Sequence, residues 1–181
     1  MLQTLAVYVE DKPGVLNRVA SLLRRRGFNI QSLTVGHSER PGLSRMTIVV
    51  DTDEQGQRRI VANLKKLVPV KRVDDITNVP SVTRDLAMIK VAATTADRAH
   101  IMQLVEVYRA RVVDVGPDSL MIETTGTEDK IDSLLEVLRP YGVLEMVRTG
   151  RVAMARGVTQ QRSRNESTAQ KPADDVSNCS V

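Results

Sequence analysis

The residues of this chain that could do chemistry gather near its start. Glu10-Asp11-Lys12-Pro13-Gly14-Val15-Leu16 sets three charged side chains before a Pro-Gly pair and an apolar run, and Arg26-Gly27-Phe28-Asn29-Ile30 follows one helix length later. A turn that opens a helix offers backbone N–H groups with no intrahelical partner and the positive end of a dipole, which suits a carboxylate. Gly14 has no side chain, so a ligand can approach its backbone closely. Asp11 can compensate an ammonium group, and the Asn29 amide both donates and accepts. Together these suit the zwitterion of an amino acid. The same residues also suit a plain tight strand-to-helix turn, and spacing alone does not separate the two readings.

Other chemistry finds little support. The single cysteine, Cys179, lies near the C-terminus, and His37 and His100 stand far apart without matching Cys or carboxylate spacing. Neither a nucleophile–base set nor a metal cluster is expected. The neighbouring carboxylates Asp74-Asp75 and Glu128-Asp129 point apart on a strand or at a helix start. Gly14 stands alone in its turn, so there is no Gly-rich phosphate loop. The chain is expected to bind no cofactor and to carry no reaction of its own. Its net charge of +4 leaves room for an acidic partner or weak contact with nucleic acid, but aromatic residues are only 2%. The strands that would carry base-stacking residues, Arg45–Val50 and Leu120–Ile122, have none, which argues against a nucleic-acid partner. No apolar run approaches the ~18 residues of a membrane span. Met1-Leu2-Gln3-Thr4-Leu5 has no basic region before an apolar core, so a cytoplasmic protein is expected.

The elements that must position the turn follow in order. Leu5 to Val9 is almost wholly apolar, as in a central strand with both faces covered. Asp11 is expected to cap the next helix and Pro13 to sit in its first turn. Val15, Leu16, Val19, Ala20, Leu22 and Leu23 form the core-facing stripe of that helix, which ends in the solvated run Arg24-Arg25-Arg26 and the stop residue Gly27. Strands are expected over Asn29–Gly36 and Ser44–Val50. A second helix, capped by Asp51-Thr52-Asp53-Glu54, should run through Ile60, Val61, Leu64, Leu67 and Val68 until Pro69 ends it. Val70–Ile76 closes a strand-helix-strand-strand-helix-strand unit.

The order then repeats without visible sequence identity: strand Leu86–Ala92, helix Asp97–Tyr108, strands Val112–Val115 and Leu120–Glu123 about a Gly-Pro turn, helix Thr127–Leu138 and strand Val143–Arg148. Gly150–Ala155 suits a short edge strand. The chain therefore reads as α+β, two tandem ferredoxin-like βαββαβ units at 2–76 and 83–157 joined by a linker at 77–82. Residues 158–181 are polar and too poor in apolar residues to offset ordering entropy, and read as a disordered tail.

The turn Asp11-Lys12-Pro13-Gly14-Val15-Leu16 resembles the D-x-P-G-x-L turn of ACT domains, which bind amino acids as regulators. More narrowly, Arg25–Gly36 and Ser44-Arg45-Met46-Thr47-Ile48 resemble the small, regulatory subunit of acetolactate synthase. So do Leu67-Val68-Pro69-Val70, Arg84–Val91, Asp114-Val115, Gly126 with Lys130, and Gly150 to Gly157. The resemblance, over residues 2–157, implies that the first unit is an ACT domain and that the partner is a large catalytic subunit using thiamine diphosphate, magnesium and FAD to join two pyruvates, or pyruvate and 2-oxobutanoate. It implies a small subunit that raises that activity and confers feedback inhibition by valine or another branched-chain amino acid. It also implies a homodimer through the ACT domains. Asp11, Lys12, Pro13, Gly14, Val15 and Leu16 would meet the effector, with Asn29 and Ile30 supplied by the facing protomer. The second unit's turn, Ala93–Asp97, lacks the Pro-Gly pair and is not expected to form an equivalent site. A free-standing amino-acid sensor or adaptor with no enzyme partner is the alternative reading.

Overall fold

Alternation builds the first sheet. In β1 (Leu2–Glu10) the side chains of Leu5, Val7 and Val9 turn to one face and those of Thr4 and Ala6 to the other, and all five are buried. A computed structural model describes residues 1–157, so the tail expected over 158–181 lies outside the described residues. After β1 come α1 (Val15–Arg25), β2 (Ile30–His37), β3 (Leu43–Asp51), α2 (Glu54–Leu64) and β4 (Val70–Asp75). The strands form an antiparallel sheet in the order β2-β3-β1-β4, with β1 central as expected from its two apolar faces. Both helices cover one face: Val15, Val19 and Leu23 of α1 and Ile60 and Leu64 of α2 enclose Leu5, Val7, Met46, Ile48 and Val50. Each fully buried aliphatic side chain of this kind contributes about 1.5–3 kcal/mol.

The second unit repeats the order with β5 (Ser81–Ala92), α3 (Arg98–Val107), β6 (Arg111–Val115), β7 (Ser119–Gly126), α4 (Glu128–Leu138) and β8 (Val143–Arg148). Its sheet runs β6-β7-β5-β8 over a core of Ile89, Val91, Ile101, Ile122, Leu134 and Leu138. The outer face of that sheet leaves Leu86, Met88 and Val147 exposed.

Three expectations need correction. The first helix begins at Val15, not within the Pro-Gly pair, because Gly14 has a left-handed backbone (φ 80°) that no continuing helix shares. The second helix stops at Leu64, four residues before Val68, and Val68 is exposed. Pro69 disfavours a helical conformation at the residue before it, so the chain leaves through tight turns, Lys66 N–H to the Asn63 carbonyl and Leu67 N–H to the Leu64 carbonyl. The linker is shorter than 77–82, since β5 already begins at Ser81.

That early start has a partner. β9 (Val152–Ala155) pairs antiparallel with Ser81–Arg84, forming a two-stranded ribbon outside the main sheet. Its Ala153 is buried against Ala6 and Ile76, on the face of the first sheet that the helices leave open. The Arg45 guanidinium reaches from the same face to the Ala153 carbonyl at 2.5 Å. The second unit thus closes the open face of the first.

Candidate functional site

Backbone geometry shapes the turn between β1 and α1. Glu10 N–H donates to the Pro69 carbonyl, Asp11 N–H to the Gly42 carbonyl and Lys12 N–H to the Glu10 carbonyl. These bonds pin the turn to the loops before β3 and β4. Past the turn, Val15 N–H makes a long bond of 3.4 Å to the Lys12 carbonyl, and Arg18 N–H begins the helical ladder at the Gly14 carbonyl. Among the described residues the amides of Gly14, Leu16 and Asn17 have no backbone partner. No side chain caps them, and Gly14 itself occupies the cap position. Three free donors at the positive end of an 11-residue helix make a local anion site.

Asp11 does not cap the helix, contrary to expectation. Its carboxylate turns toward β3 and the end of β2, accepting a hydrogen bond from the Ser44 hydroxyl at 3.1 Å and lying 3.2 Å from His37 Nδ1. A negative group therefore stands beside the free amides without consuming them. Lys12 is committed elsewhere: its ammonium lies 2.9 Å from the Glu10 carboxylate, whose other oxygen meets Lys71 at 2.5 Å. The hydrogen bonds from Lys71 and Lys12 hold the Glu10 carboxyl down at about 2, from an ordinary value of 4.5. The Val15 side chain points into the core, so only its backbone belongs to the turn. Leu16, expected in the core stripe, is 42% exposed. The core stripe follows strict four-residue spacing through Val15, Val19 and Leu23, and Leu16 falls one position round the helix. It leaves an apolar side chain beside the turn.

Asn29 and Ile30 lie at the far end of α1. The helix closes in a Schellman arrangement, with Phe28 N–H to the Leu23 carbonyl and Gly27 N–H to the Arg24 carbonyl, and with Gly27 left-handed (φ 75°) as expected. β2 then starts at Ile30 opposite Val50, whereas the turn adjoins the other end of the sheet, where Glu10 faces Leu43. Eleven helical residues span about 16 Å at 1.5 Å each, so one chain does not bring Asn29 to Asp11. Asn29 and Ile30 line a shallow groove of about 440 Å³ with Ala20, Arg24, Gly27 and Phe28. His37 and Ser44, absent from the sequence-based site, are the residues that orient Asp11. The signal that could have found them is strand register, which pairs His37 with Ser44 at the end of the sheet adjoining the turn. At the matching turn of the second unit, the Thr94 hydroxyl donates to the Asp97 carboxylate at 2.5 Å, so that turn is closed by its own side chains.

A second cleft, of about 460 Å³, lies between the two units, bounded by Gln31, Ser32, Asp85, Glu128, Arg148 and Arg151. Its charges are already matched. Arg148 binds Asp85 at 2.7 Å and Asp132 at 2.9 Å, and Arg151 binds Glu128 at 2.9 Å. Burial works against the charged Arg148, but the hydrogen bond and charge of Asp85 outweigh it and raise its pKa. No free charge is left there to select a ligand.

Comparison with known proteins agrees with this architecture. Residues 5–72 match the model of the AHAS small subunit-like ACT domain, and residues 84–157 match that of the small subunit of acetolactate synthase. A protein of Archaeoglobus fulgidus, named probable acetolactate synthase small subunit, is 52% identical over 87% of this chain and 98% of its own length. The acetolactate synthase small subunit of Mycolicibacterium smegmatis is 50% identical over 85% of this chain and 91% of its own. The crystal structure of the acetolactate synthase small subunit from Thermotoga maritima superposes with a TM-score of 0.83 at 42% identity, over 87% of this chain and 98% of that one. With both units matched in order, and relatives 42–52% identical over more than four-fifths of the chain, the chain belongs to the family of acetolactate synthase small subunits.

Proposed function

We propose that this chain is the regulatory subunit of an acetolactate synthase, in branched-chain amino-acid biosynthesis. It raises the activity of a large catalytic subunit, which carries thiamine diphosphate, magnesium and FAD, and it makes that enzyme sensitive to feedback by valine. The observation that carries the effector reading is the turn at Gly14: free amides at Gly14, Leu16 and Asn17 for a carboxylate, with the Asp11 carboxylate alongside for an ammonium. The exposed Leu16 supplies apolar surface for a branched side chain.

The site is completed by a second copy. β2 is an edge strand of eight residues, Ile-Gln-Ser-Leu-Thr-Val-Gly-His, with no Lys, no Pro and no carboxylate to discourage pairing. Antiparallel pairing of two such edges about a two-fold axis brings the Ile30 end of one strand to the His37 end of its partner. His37 Nδ1 is 3.2 Å from Asp11, so Asn29 and Ile30 of one protomer then face the turn of the other. The separation of these residues by the length of α1 within one chain is thereby a property of the half-site.

Reconstitution tests the reading. The purified chain added to an acetolactate synthase large subunit is expected to raise acetolactate formation, and L-valine to reverse that gain. An activity unchanged by the chain would sink the subunit reading and favour a free-standing sensor. Activation that valine leaves untouched would sink the effector reading alone.

A further inference from the structure

The segment Thr149–Ala155 lies across the first sheet and touches the strand that begins with the effector residues. Arg151 N–H donates to Ser32 Oγ at 2.8 Å. Gly150 sits so close that a Cβ there would fall 2.7 Å from Ser32 Oγ, 2.7 Å from Thr34 Oγ1 and 2.8 Å from the Leu33 carbonyl oxygen. Such distances are not tolerated, so this position requires glycine for approach rather than for backbone freedom. Thr34 Oγ1 is buried with no hydrogen-bond partner among the described residues. A buried hydroxyl left unpaired costs free energy, so the joint is incompletely satisfied in this arrangement.

On the β2 side, the register with β3 slips between Ile30 and Ser32. The bulge therefore lies directly between the effector residues Asn29 and Ile30 and the contact at Ser32. On the other side the segment is held stiffly to the second unit. Thr149 exchanges two hydrogen bonds with Leu86, N–H to carbonyl at 2.9 Å and hydroxyl from the Leu86 amide at 3.0 Å. Arg148 is clamped by Asp85 and Asp132, and Arg151 by Glu128 of α4. A continuous series of hydrogen bonds and ion pairs thus joins Ser32 to β5, an interior strand of the second sheet.

We propose that the joint of Ser32 and Thr34 with Gly150 and Arg151 transmits occupancy of the effector site to the second unit, with the Ile30–Ser32 bulge as the element that has two arrangements. This rests on the effector reading above. Ser32 and Gly150 are positioning residues: they touch neither effector nor substrate, and act by linking β2 to β5. Ligand-dependent coupling between two sites is a free energy shared by both, so the catalytic subunit must alter valine affinity by the same factor as valine alters binding of the catalytic subunit.

The test is calorimetric titration of L-valine into the full-length small subunit, alone and in complex with the large subunit. The expected ratio of the two dissociation constants for the unaltered protein lies within roughly 5–150-fold. In Ser32→Ala, which removes the hydrogen bond without crowding, and in Gly150→Ala, which wedges the joint, that ratio is expected to fall at least threefold toward unity. Valine affinity of the free subunit should stay within threefold. Ser32→Thr, which keeps the hydroxyl, should restore coupling. An unaltered ratio in both Ser32→Ala and Gly150→Ala overturns the proposal, as does loss of valine binding by free Ser32→Ala, since that would make Ser32 a support of the site rather than a link. Absence of valine binding to the unaltered protein defeats the effector reading itself and is recognised before any variant is made.

Discussion

A single backbone angle separates Gly14 from its neighbours. A side chain at φ 80° is strained by about 1–2 kcal/mol in a left-handed conformation, although a Cβ at Gly14 meets nothing within 4 Å. Asp tolerates that region better than most residues, so Gly14→Asp is expected to fold. Its carboxylate would stand among the three free amides and beside Asp11, occupying and repelling the ligand carboxylate. Feedback by valine should disappear in the reconstituted enzyme while activation remains; normal inhibition of that variant would remove the turn from the site. Asn29→Ala tests the other half. It should weaken valine inhibition with little loss of activation, and an equal loss of both would point to docking or folding instead. Residue types announced both positions in the sequence. The orienting partners of Asp11 did not show themselves, because His37 and Ser44 reach it only through strand register.

At the scale of elements, the termini hold testable contributions. Asp53 caps α2, its Oδ1 accepting from Gly56 N–H at 2.6 Å. Asp53→Ala should cost about 1 kcal/mol, read as a lower urea midpoint with an unchanged slope. Gly56 is buried there against the Thr52 and Asp53 side chains, which is why the sequence DTDEQG suits a cap despite a glycine in the first turn. Glu10 joins the end of β1 to β4 through Lys71. Its carboxyl titrates at about 2 in the folded protein against 4.5 ordinarily, so the charged form is favoured by folding. The stabilisation is complete above pH 4.5 and is lost as pH falls through about 2. Glu10→Gln should therefore be less stable than the unaltered protein near pH 6, and the gap should close in acid, as urea titrations at several pH values would show.

The whole molecule combines an uncharged open edge at β2 with a first sheet whose second face is already covered by β9 and Ala153. One surface of the first unit is thus covered by the chain itself, and the β2 edge is the surface proposed to meet a second copy. Val35 is 42% exposed on β2, and Val35→Lys would place a charge at that edge on each protomer of a pair. Sedimentation should then shift from dimer to monomer, and valine binding should fall with it, because Asn29 and Asp11 belong to different protomers in the proposed site. A variant that remained dimeric with normal valine binding would move the interface elsewhere.

Much of this was legible in the residues themselves. Periodicities of two and about four, read against Gly, Pro and Asp punctuation, determined both βαββαβ units, because local propensity and burial pattern agree along nearly all of residues 1–157. The turn at Asp11–Leu16 was marked by its residue types, since only a glycine adopts such a cap freely and only a helix start leaves such amides free. Local rules failed where the competing terms are long-range. Leu16 and Val68 look like core residues by composition, but packing leaves them exposed. Ser81 and Val82 look like linker, yet pair with Ala155 and Met154, some seventy residues away along the chain. Tertiary structure alone decided that Asn29 stands at the opposite end of the sheet from Asp11, that Asp11 turns to Ser44 and His37, and that Gly150 touches Ser32, because each depends on which strand ends meet rather than on which residues are neighbours in sequence.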